Sequence, residues 1–152
     1  MSVAGVALLL HVLAAMAFVS GYVGTNVMTE VARRARTLDE RRAALSASGL
    51  FDRMLNRRGG TAVIVTAPIV VLAYDYPITT PWLIVSTVIF LAIPIIGGLF
   101  WARIGRRLDE ALAHGDDEKA AMLLNNPRTI LVSRLENLLV LAMIALMVLR
   151  PG

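Results

Sequence analysis

The chain has 152 residues, of which 57% are hydrophobic, with a mean hydropathy of +0.70 and a formal net charge of +4. That length suits one domain, and that hydropathy lies well above the soluble norm. Cysteine is absent, which excludes disulfides, thiolate metal sites, cysteine nucleophiles and S-palmitoylation. The basic balance does not indicate nucleic acid, because no aromatic–basic platform accompanies it and the arginines cluster at the ends of apolar stretches.

The first such stretch, residues 3–29, carries no full charge and exceeds the ~20 residues needed to cross a bilayer core. It lacks the basic start and short apolar core of a signal peptide, so it is expected to be a retained transmembrane helix. At 100° per residue, His11, Ala15, Phe18, Tyr22, Thr25, Asn26 and Thr29 fall on one face. Polar side chains in lipid are costly, so this stripe is expected to turn toward other helices or a partner protein.

After Thr29 comes a connector rich in arginine (Arg33, Arg34, Arg36, Arg41, Arg42, Arg53, Arg57 and Arg58). Within it Leu50, Phe51, Met54 and Leu55 repeat at helical spacing. They suit either a helix in the headgroup region or a short connector packed under the bundle. The second span, about 59–75, is short and holds Pro68, which is expected to kink it. A turn follows in which Tyr74 and Tyr76 flank Asp75 at a membrane–water boundary.

Thr80 and Pro81 open the third span, about 81–102, as N-cap and first helical residue. Trp82 and Trp101 stand ~28 Å apart along a helix, close to the hydrocarbon thickness. Gly97 and Gly98 suggest a close helix contact there. A second charged connector carries Arg103, Arg106, Arg107 and Lys119, with a turn near His114 and Gly115 and a short helix over 116–124. Asn126 and Pro127 introduce the fourth span, about 129–149. Of the 15 Lys and Arg residues, only Arg150 lies outside the two long connectors and their edges. The positive-inside rule therefore places both connectors in the cytoplasm and both termini outside. The expected fold is all-α: an antiparallel four-helix transmembrane bundle, N-out and C-out, with helical cytoplasmic connectors, in a bacterial cytoplasmic membrane.

Few residues suggest chemistry. His11 is an intramembrane imidazole, suited to a metal or haem ligand, a proton carrier or a packing tether. Met143 is expected at similar depth on the fourth helix, and a His/Met pair can bind haem b or copper. Arg134, Glu136 and Asn137 sit in the inner part of the fourth span. Arg134 and Asn137 share a face, while Glu136 points away and calls for a cation such as Arg33, Arg34 or Arg103. This group reads as an ion-pair latch or as a substrate or headgroup site. No nucleophile–base set, phosphate loop or paired intramembrane carboxylates occur.

The opening L-L-H-V-L-A-A with Gly21 beyond it, the arginine cluster, W-x-R-I-G-R-R-L at 101–108 and S-R-L-E-N-L-L-V-L-A-M-I-A-L-M-V-L-R-P at the end together resemble a bacterial family. Its members are described as four-helix integral membrane proteins of unknown function. Helix 1 alone is similar to copper-resistance-D-type and protoporphyrinogen-oxidase-type membrane proteins, a likeness that implies a haem or copper role for His11. The leading expectation is a non-catalytic accessory or assembly subunit packing helices 1 and 4 against other membrane subunits, or self-associating, in the bilayer. The alternatives are a haem- or copper-binding protein centred on His11 and an oligomeric solute or proton carrier.

Overall fold

A computed structural model describes residues 2–150, and every regular element among them is helical. The chain divides into two compact units, one up to Pro77 and one from Ile78 onward.

The first unit contains α1 (Val3–Arg34), α2 (Leu38–Phe51), a five-residue π turn (Asp52–Asn56) and α3 (Arg57–Ala73). Ser2 starts α1 by accepting the Gly5 amide at 3.1 Å. Arg33 and Arg34 complement the negative end of the helix dipole and reach back to Glu30 at 3.2 and 2.8 Å. The backbone then extends at Ala35, and Thr37 restarts a helix through a capping box with Glu40. From Leu38 to Ala73 the elements follow without interruption. The sequence reading separated a connector from a span beginning near residue 59; the structure makes them one rod. The physical reason is local: residues 38–56 contain no proline and are rich in Leu, Ala and Arg, which are strong helix formers.

This rod lies along α1. Arg41 meets Ala32, Ser48 meets Thr25, Phe51 meets Gly24, Asn56 meets Gly21, Gly59 meets Phe18, and Thr66 meets His11. Numbers rise along the rod as they fall along α1. The closest approaches occur at Gly21 and Gly59, where a Cβ would collide with the backbone of the opposite helix. The expected apolar patch of the connector is divided by this packing. Phe51 covers Gly24 and Leu55 lies beside Gly21, whereas Leu50 and Met54 are exposed.

The second unit contains α4 (Pro81–Ala113), α5 (Asp117–Leu124) and α6 (Pro127–Leu149). Pro94 lies inside α4 without ending it. A turn with Gly115 at φ 72° leads to α5, a conformation that glycine adopts without strain. Leu108, Ala111, Ala120 and Leu124 are buried at this end. Asn126 caps α6 by accepting the Arg128 amide at 2.9 Å, with Pro127 as the first helical residue. Glu136 of α6 meets Trp101 of α4, and the Arg150 guanidinium lies 5.8 Å from the Trp82 ring. Among the described residues, three helices are long and apolar enough to cross a membrane: α1, α4 and α6. The second expected span corresponds to α3, which has 17 residues.

Candidate functional site

The polar stripe of α1 is engaged by the chain itself. The Thr25 hydroxyl donates to the Gly21 carbonyl at 2.8 Å. The Ser48 hydroxyl of α2 donates to the Thr25 carbonyl at 3.1 Å. Thr29 donates to the same carbonyl at 2.8 Å, and its oxygen lies 3.1 Å from that of Ser48. Asn26 turns its amide onto the Tyr22 carbonyl of its own helix at 2.9 Å. Tyr22 is buried and stacks on Phe18 with ring centroids 6.5 Å apart. Below this seam Arg41 is only 3% exposed and donates to the Ala32 and Ala35 carbonyls. Its planar fork thereby satisfies acceptors that the end of α1 leaves open.

His11 is half-buried, with Nδ1 3.0 Å from the Thr66 hydroxyl oxygen. That hydroxyl also lies 2.7 Å from the Ala62 carbonyl. The contact ties one imidazole nitrogen to α3, and which of the two atoms donates follows the tautomer of His11. Met143 is buried in α6 of the second unit, while His11 belongs to the first. Among the described residues, no group of three or more His, Asp or Glu could hold a metal ion.

Glu136 departs from expectation. Its partner is not an arginine: Oε2 accepts the indole N–H of Trp101 at 3.0 Å. Oε1 lies against Gly97, where a Cβ would stand 2.7 Å away. In the first unit, Arg33 and Arg34 pair with Glu30. The choice is physical, because a neutral indole donor can enter a buried helix contact without the desolvation cost of a guanidinium. Glycine at position 97 clears the space that the carboxylate occupies. The neighbouring Gly98 has nothing within reach of a Cβ. Arg134 is exposed and Asn137 half-buried, so their common helical face does not make them one site.

With this geometry in place, comparison with known families is informative. A family model described as predicted integral membrane protein (DUF2269) matches residues 6–151. The chain belongs to this family. No curated protein and no solved structure matches it. Membership in DUF2269 makes it an integral membrane protein, and with three apolar helices it is read as multi-pass. The looser likeness of helix 1 to copper-resistance-D-type and protoporphyrinogen-oxidase-type proteins is not among these findings.

Sequence reasoning missed Ser48, Thr66, Arg41 and Trp101 as the partners of the stripe, of His11, of the α1 end and of Glu136. The available signal was small-residue spacing. Gly21 borders the striped side of α1, four residues from Ala17 and from Thr25, and small residues at that spacing mark where a second backbone lies close.

Proposed function

We propose that this DUF2269 protein is an antiparallel four-span membrane protein, N-out and C-out. On this reading it is a non-catalytic accessory or assembly subunit of a larger membrane complex. The observation that carries it is the distribution of polarity across α6. Ser133, Glu136, Val140 and Met143 are buried, while Leu131, Leu138 and Leu141 are 67%, 63% and 63% exposed. With Arg128 and Arg134 toward its start exposed, the rest of α6 turns its polar groups inward and broad apolar faces outward, which suits a protein that works through lipid and helix contacts. The test is purification in mild detergent. Companions in fixed stoichiometry, retained through size-exclusion chromatography and shed by Leu138→Arg, support the proposal; a lone monomer overturns it.

On the same reading α3 is the fourth span. Its 17 residues cover ~25 Å, nearly the hydrocarbon thickness. The register of the rod then shortens the first span. Arg57 and Arg58 precede Gly59, which touches Phe18, so these arginines stand level with 18–22 of α1. Two arginines are expensive in the acyl core and at home at its edge. The hydrocarbon boundary on α1 is thus assigned near Tyr22 rather than Thr29, and the seam of Thr25, Thr29 and Ser48 lies beyond it. Because the chain has no cysteine, single-cysteine labelling tests the topology without background. Thr79 and Ser46 are both exposed. Thr79→Cys labels from outside and Ser46→Cys only after permeabilisation; the reverse pattern overturns the orientation.

The second reading, haem or copper at His11, is favoured by one observation: Thr66 engages Nδ1, and an imidazole held by a hydrogen bond at one ring nitrogen ligates a metal through the other. A Soret band, oxidised and reduced, that disappears in His11→Ala supports it. Colourless protein with no bound copper removes it.

A further inference from the structure

The rod opens a furrow that shares Thr66 with the His11 contact and is otherwise separate from it and from the seam. It has a volume of about 470 Å³ and is lined by Arg57, Arg58, Thr61, Ala62, Val65 and Thr66 of α3. These positions follow helical spacing, so they form one strip up the helix. The strip changes character along its length. At its lower end are two exposed guanidinium groups. Asp52 holds Arg57 at 2.7 Å, while Arg58 has no carboxylate partner among the described residues. Above them the hydroxyls are spent within the helix, Thr61 on the Arg57 carbonyl at 2.9 Å and Thr66 on the Ala62 carbonyl at 2.7 Å. The upper lining is then methyl and methylene surface.

We propose that this furrow binds one anionic phospholipid, its phosphate on Arg57 and Arg58 and an acyl chain along Ala62 and Val65. Three features on α3 point to this occupant. Charge is complementary, since guanidinium groups pair with phosphate oxygens in a fixed fork. Depth is right, because Arg58 precedes the glycine that touches Phe18, some 15 residues from the start of α1, or ~23 Å along a helix. With the reach of the guanidinium stem this coincides with a headgroup boundary. Polarity runs in the direction of a lipid, cationic at the rim and apolar toward the membrane centre. The inference rests on the proposed reading that α3 spans the bilayer, and is independent of the accessory-subunit role and of which side faces the cytoplasm.

The test is native mass spectrometry of the full-length protein equilibrated with phosphatidylglycerol, phosphatidylcholine or glycerol phosphate. Retention of one phosphatidylglycerol in preference to phosphatidylcholine is expected. Each of Arg57→Gln and Arg58→Gln is expected to lower that preference about fivefold, as a juxtamembrane cation contributes. Val65→Trp should weaken both lipids by filling the furrow while leaving the arginines in place. Arg106→Gln, an exposed arginine elsewhere, should change nothing. Equal retention of the two lipids by the unaltered protein overturns the proposal, as does a preference that survives Arg57→Gln/Arg58→Gln. Binding of glycerol phosphate as tight as the lipid removes the acyl part. A dimer that excludes lipid and dissociates in Val65→Trp assigns the furrow to a second copy instead.

Discussion

Gly21 of α1 and Asn56 of the π turn meet backbone to backbone, with no room for a Cβ between them. Gly59 makes the reciprocal contact with Phe18. Two helices meeting at glycines gain dispersion contact over their whole facing surfaces, the main attraction available once water is absent.

The first prediction concerns this contact. Gly21→Ala and Gly59→Ala should each destabilise by at least the ~1–3 kcal/mol typical of overpacking. Thermal unfolding in detergent, followed by size-exclusion chromatography, measures the effect. Gly98→Ala is the control, as nothing lies within 4 Å of its Cβ. An equal loss in all three would mean that helix approach is not what the first two report.

Trp101 and Glu136 supply the second. Trp101→Phe keeps an aromatic ring, though a smaller one, but leaves Glu136 Oε2 without its donor. An orphaned buried acceptor costs ~1–3 kcal/mol. In Glu136→Leu/Trp101→Phe the loss should be less than additive, which a double-mutant cycle reads directly because leucine removes the acceptor and phenylalanine the donor. Additive losses would show that the bond contributes nothing of its own.

The seam gives a third. Ser48→Ala removes a donor to Thr25 and a neighbour of Thr29, at an expected cost of ~1 kcal/mol. Thr29→Ala should cost less in the Ser48→Ala background than alone. Independent effects would argue that the two hydroxyls do not act together on the Thr25 carbonyl.

Arg41 carries the fourth. Its guanidinium reaches two carbonyls, of Ala32 and Ala35. Lysine keeps the charge but not the fork, so Arg41→Lys should retain only part of the ~1.5–3 kcal/mol that a charged hydrogen bond contributes, and Arg41→Ala none. Hydrogen exchange at the end of α1 is the readout. Faster exchange in both variants, greater in alanine, is expected; unchanged exchange would sever Arg41 from the α1 end.

Much of the fold was legible beforehand because its signals are local. The Asn126–Pro127 start of α6, the Gly115 turn and the short helix after it follow from caps and backbone preferences of single residues. The site was legible in part. That α1 has a polar face through Tyr22, Thr25 and Asn26 follows from a 100° period; that Ser48 answers Thr25 does not. Glu136 is the clearest case, since charge counting favoured an arginine while helix packing supplied an indole.

The sequence by itself determined that this is a membrane protein, where its apolar stretches lie and which positions share a helix face. Chain length, charge and period are properties of neighbouring residues. Only the tertiary structure decided that the arginine-rich connector and the second apolar stretch are one rod alongside α1. It also decided that the polar stripe is used within the chain, and that Arg57 and Arg58 stand level with 18–22 of α1. Those outcomes depend on which backbones can come close, and that is fixed by two glycines, Gly21 and Gly59, far apart in sequence and in register only after the chain has turned at Ala35–Thr37.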